Sequence, residues 1–78
     1  MSHVPHELHE EFPEARERLH ALKADDAHFA RLAERYHEVN RAIHRAEAEV
    51  EPMSDDALEG LKKQRLALKD EIAGRLYA

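Results

Sequence analysis

Between residues 29 and 50 the apolar side chains return at alternating intervals of three and four: Phe29, Leu32, Tyr36, Val39, Ile43, Ala46 and Val50. An unbroken run of this kind fits a helix that buries one seam, because a strand would alternate every second residue and a disordered segment would have no period. Charged residues flank the stripe at Glu34, Arg35, Glu38, Arg41, Arg45 and Glu47, as a solvated back requires. The spacing predicts one helix from about Asp26 to Val50. Asp25 or Asp26 can cap its start by accepting backbone N–H bonds, and Pro52 stops it by disfavouring helical geometry at Glu51.

A second start follows at once. Ser54 suits an N-cap, Asp55 and Asp56 put negative charge in the first turn, and Leu58, Leu61, Leu68, Ile72 and Leu76 continue at helical spacing to about Tyr77. Glu59 with Lys62 and Lys63, and Glu71 with Arg75, fall at pairing distances along this helix. A turn at 51–54 is too short for anything but an antiparallel return, so residues 26–78 read as a long, coiled-coil-like αα-hairpin. Folding about Pro52 sets Ile43 near Leu61, Val39 near Arg65, Tyr36 near Leu68, Leu32 near Ile72 and Phe29 near Leu76. The expected seam is Phe29, Leu32, Tyr36, Val39, Ile43, Leu58, Leu61, Leu68 and Ile72. Arg65 interrupts it, with an aliphatic stem to cover the seam and a guanidinium to reach solvent or a carboxylate.

Residues 1–25 form an N-terminal arm. Val4, Leu8, Phe12, Ala15, Leu19 and Leu22 trace a helical stripe broken by Pro13, which predicts a short helix near Pro5 to Glu11, a bend, and a second helix from Pro13 to Lys23. Proline is well placed at a first helical position, and Glu14 to Arg18 is an i,i+4 pair. Phe12, Leu19 and Leu22 are expected on the open side of the hairpin. The fold class is all-α.

Several segments are similar to one family: His6-Glu7-Leu8, Glu11-Phe12-Pro13-Glu14, Phe29-Ala30-Arg31-Leu32, Tyr36 through Asn40, Ile43-His44-Arg45-Ala46-Glu47 and Lys62 through Ile72. Together they resemble the YdcH-like family of small uncharacterised bacterial proteins. Its most specific piece here is Leu66-Ala67-Leu68-Lys69-Asp70-Glu71-Ile72. The resemblance implies a bacterial cytoplasmic protein with a helical or coiled-coil fold, and brings no activity, cofactor or catalytic residue with it.

The charge balance excludes one class of partner. With 17 acidic against 12 basic residues, a net of −5, the chain has the wrong sign for a dedicated DNA-backbone binder. Its one basic cluster, Lys62, Lys63, Arg65 and Lys69, is diluted by Glu59, Asp70 and Glu71 and has no aromatic stacking platform. A weak RNA contact is the most it suggests, and a solvated face explains it better. The absence of cysteine, of a signal-peptide pattern at residues 1–6 and of an apolar run of roughly 20 residues points to a cytoplasmic, non-membrane protein.

Seven histidines are the feature closest to chemistry. His3, His6 and His9 recur every third residue, so in a helical arm two of them could share one side and chelate a borderline metal. His37 and His44 are separated by roughly 10 Å of helical rise, too far for one ion. Glu34 with His37 has the Glu-x-x-His spacing of di-iron bundles, but in a single copy beside the seam. Solvated histidines are the plainer reading throughout, and no metal or cofactor is expected. Only Ser2 and Ser54 offer hydroxyl nucleophiles besides the tyrosines, and Gly60 and Gly74 stand alone inside a helix with no phosphate loop. The expectation is a non-enzymatic interaction or oligomerisation module. A homodimer or higher oligomer is expected through Leu66, Ile72, Leu76 and Tyr77, where the apolar face of the last helix is widest, with an unidentified protein partner as the variant of that reading. A histidine-based metal-binding protein is one alternative, and a weak RNA-associated factor using the basic cluster of the last helix is another.

Overall fold

The computed structural model describes residues 4–48 and 51–78. Among them the protein is all-α: α1 spans Leu8–Glu11, a 3-10 turn spans Pro13–Ala15, α2 spans Arg16–Asp25, α3 spans Ala27–Glu47 and α4 spans Asp55–Leu76. The two long helices pack against each other as an antiparallel pair, and α2 lies chiefly on α3. Val50, the last member of the heptad stripe, lies outside the described residues.

Local chemistry explains each boundary. Of the two candidate caps it is Asp26 that serves α3, its Oδ1 accepting the N–H of His28 at 3.0 Å and of Phe29 at 3.1 Å. α3 ends at Glu47, three residues before the end that the apolar spacing predicts. Beyond it the N–H of Glu51 turns back to the carbonyl of Arg45 at 3.3 Å, and the Glu51 carboxylate meets Arg45 Nε at 2.7 Å. That return satisfies a carbonyl that the helix end leaves open, so the turn begins before proline enforces it. Ser54 caps α4, its Oγ accepting the Ala57 N–H at 3.1 Å.

The first helix begins at Leu8 rather than Pro5, and His6 is the reason. His6 adopts a left-handed backbone with φ of 65°, a conformation that no right-handed helix can incorporate. Glu7 then caps α1, and its own N–H bonds the Glu10 carboxylate at 3.3 Å in a reciprocal capping box.

The core is one cluster. Phe29, Tyr36, Ile43, Ile72 and Leu76 are fully buried, and Leu8, Phe12, Ala15 and Leu19 join them from the arm. Leu22, Leu32, Leu58, Leu61 and Ala73 pack at its edge, partly exposed. Because the arm occupies one side, the buried arc of α3 is wider than a single seam: Ala33 and Asn40 are buried as well as Tyr36 and Val39.

Gly60 and Gly74 sit within α4, neither with a positive φ. A Cβ added at either would meet nothing within 4 Å. Each costs the helix about 1 kcal/mol relative to alanine, and no packing inside the chain requires them.

Candidate functional site

Halfway along the hairpin three polar side chains converge inside the apolar core. Asn40 is 1% exposed, and burying an amide is unfavourable unless its hydrogen bonds are made. Both ends are satisfied: its Oδ1 accepts from Arg65 Nη1 on α4 at 2.9 Å, and its Nδ2 donates to the carbonyl of Pro5 at 2.8 Å. One turn earlier the Tyr36 hydroxyl donates to the carbonyl of His6. The left-handed turn at His6 thus accompanies two consecutive carbonyls that both bond α3. Burial, reinforced by the nearby charge of Glu11, pushes the Tyr36 hydroxyl up to about 12, so it remains a donor at neutral pH. The partner that Arg65 finds is an amide oxygen, where the sequence suggests solvent or a carboxylate.

Charged and aromatic groups continue the attachment of the arm. Lys69 Nζ bonds Glu11 Oε1 at 2.7 Å, and this bond holds the Glu11 carboxyl below its ordinary range. His37 Nδ1 lies 3.0 Å from Glu7 Oε2. At the C-terminal end of α4, Arg18 Nε donates to the carbonyl of Leu76 at 2.6 Å, a cation placed where the helix dipole is negative and a carbonyl lacks a partner. Tyr77 packs edge-on against Phe12 with ring centroids 5.9 Å apart, and its hydroxyl bonds the Glu14 carboxylate. That bond lowers the Glu14 carboxyl and raises the Tyr77 hydroxyl. Glu14 and Arg18, expected to pair with each other along α2, both turn to the end of α4 instead.

The basic cluster is largely engaged. Lys62 pairs with Glu47 across the hairpin at 3.3 Å, rather than with Glu59 along its own helix, while Arg65 and Lys69 hold Asn40 and Glu11. These three cations, Leu66, His6, Glu11 and Tyr36 border a cavity of about 230 Å³.

Among the described residues no group of three or more His, Asp or Glu side chains is placed to hold a metal ion. His3 lies outside the described residues. His6 is 3.5 Å from Glu11, His28 is 3.9 Å from Glu71 and His37 faces Glu7, so these three stand beside different carboxylates. His9 is exposed, and His44 is partly so.

The residues expected for self-association divide sharply. Ile72 and Leu76 are 0% exposed inside the single chain, whereas Leu66 is 59% and Tyr77 54% exposed. The surface open to a partner is therefore narrower than the sequence suggests, and Tyr77 already serves the arm on one side. None of the described helices is long and apolar enough to cross a membrane.

Sequence periodicity had one signal for the polar cluster. Phe29, Ala33, Tyr36, Asn40 and Ile43 recur at intervals of four, three, four and three, so Asn40 stands where an apolar residue belongs. The contacts of Arg18, Glu7 and the carbonyls of Pro5 and His6 had none, because they depend on the path of the arm.

A comparison with family models matches residues 29–76, the greater part of the chain and almost the whole of α3 and α4, to a family described as "Protein of unknown function (DUF465)". Comparisons with curated proteins and with solved structures gave no match. The chain belongs to the DUF465 family, the YdcH-like family of small uncharacterised proteins.

Proposed function

We propose that the protein is a non-enzymatic helical interaction module that acts by self-association, using the outer face of α4. The observation that carries this reading is Leu66. It is a large aliphatic side chain 59% exposed in the middle of a 22-residue helix, while the apolar residues of the opposite face are consumed by the hairpin. Exposure of one leucine is ordinary by itself. Here the exposed Ala67 stands beside it, and Tyr77, although it serves the arm on one side, is still 54% exposed.

An interaction role also suits the polar architecture. Tyr36, Asn40, Arg65 and Lys69 are occupied by the arm and the hairpin, so the groups best placed for acid–base work already hold the fold together. Sedimentation equilibrium on the intact chain tests the proposal, together with melting over a hundredfold range of concentration. Folding linked to association raises Tm with concentration, and Leu66→Lys should remove most of that dependence. A parent protein that stays monomeric at tens of micromolar, with concentration-independent melting, would show the reading to be wrong.

A further inference from the structure

Opposite the hairpin seam, α4 carries a second stripe at heptad-like spacing: Glu59, Lys63, Leu66, Asp70, Gly74 and Tyr77, all exposed. We propose that this stripe is a self-complementary docking face for a second copy of this chain. The two α4 helices would run antiparallel, with the twofold axis passing between Leu66 and Ala67. The inference rests on the self-association reading above and adds orientation and register to it.

Charge selects that register. With the axis between Leu66 and Ala67, Lys63 of each copy lies opposite Asp70 of the other, and the symmetry makes this pair twice. Leu66 meets Ala67 of the other copy at the centre. A parallel pairing would instead set Lys63 against Lys63 and Asp70 against Asp70. Sliding the antiparallel pair by one heptad in either direction moves the axis onto Asp70 or onto Lys63, and places like charges in contact again. Such juxtapositions exclude wrong pairings as effectively as attraction favours the right one.

Two further observations fit the same face. Neither Lys63 nor Asp70 forms an ion pair within the chain among the described residues, although Lys62, Arg65 and Lys69 are all engaged there. Gly74, within the stripe, leaves open space where a Cβ would stand. In the proposed register Gly74 lies opposite Glu59 of the other copy. Glycine at such positions lets a second backbone approach closely.

A charge exchange on the full-length chain tests the register. Lys63→Asp places four acidic groups at the contact and Asp70→Lys places four basic ones, so each variant alone should dimerise roughly tenfold or more weakly by sedimentation equilibrium. An equimolar mixture of the two should form heterodimers with nearly the parent affinity, because both contacts between positions 63 and 70 then join opposite charges. The double variant Lys63→Asp with Asp70→Lys should likewise recover, which separates lost association from lost folding, and circular dichroism of each variant checks helicity. Single variants that dimerise like the parent, or a mixture no tighter than its components, would overturn the register while leaving self-association standing. A monomeric parent would overturn both.

Discussion

The hairpin and the arm are held by different kinds of force. Along α3 and α4, burial is periodic: Phe29, Tyr36 and Ile43 on one helix and Leu68, Ile72 and Leu76 on the other fill a common core, and each contributes on the order of 2 kcal/mol by leaving water. The arm also buries Leu8, Phe12 and Leu19, but its position depends on single bonds to chosen atoms: the carbonyls of Pro5 and His6, the carboxylates of Glu7, Glu11 and Glu14, and the guanidinium of Arg18. Apolar packing tolerates exchange of one aliphatic group for another of similar size. A hydrogen bond to a particular carbonyl tolerates far less. The hairpin should therefore respond to changes of polarity, and the arm to changes of geometry.

The largest effect is expected where a charge enters the seam. Tyr36→Glu or Leu68→Glu buries an unpaired carboxylate and should cost on the order of 4 kcal/mol or more, read as loss of helical circular dichroism or a collapsed Tm. Unchanged melting in both variants would break the account of the hairpin. An intermediate effect is expected at the junction of the two regions. Asn40→Ala leaves Arg65 and the carbonyl of Pro5 without their partner and should destabilise by about 1–3 kcal/mol in denaturant titration. Amide exchange of α1 should accelerate more than that of α4. Equal acceleration in both would erase the distinction between arm and hairpin.

The smallest effect concerns Glu11. Its folded pKa is depressed by Lys69, so the stability it contributes is present above the unfolded value of about 4.5 and is lost as pH falls through the lower folded value. Lys69→Met should remove roughly 0.5 kcal/mol at neutral pH, in keeping with a partly exposed pair, and should move the Glu11 titration upward in NMR. A Glu11 titration unmoved by that change would mean that the ion pair does not form in solution.

This contrast also explains what the sequence made legible. Helix positions and the antiparallel return followed from the three-and-four spacing of Phe29 to Ile43 and from Pro52 and Ser54, which act locally. The pairing of Val39 with Arg65 fell one residue from the observed contact at Asn40. Ala33 and Asn40 were missed as buried positions because a hairpin alone exposes that side of α3, and only the arm covers it. The starting point of α1 is not legible because the left-handed turn is held by Tyr36, 30 residues from His6, and by Asn40, 35 residues from Pro5, and no local pattern encodes such a distance. The exposed stripe of α4 was hidden in the same way: Lys62 and Lys63 look equivalent in sequence until Glu47 claims one of them.

Asn40 carries a further consequence, in specificity rather than stability. Its oxygen is satisfied only when Arg65 stands opposite, and its amide hydrogens only when the carbonyl of Pro5 arrives from the arm. If α4 slipped by one turn, many leucines would still find apolar neighbours, but this amide would be stranded in a dry interior. A buried asparagine in a coiled coil acts in this way, giving up affinity to exclude alternative alignments. Asn40 thus works as a checksum on the tertiary fold: it penalises every arrangement in which the helices match and the arm does not.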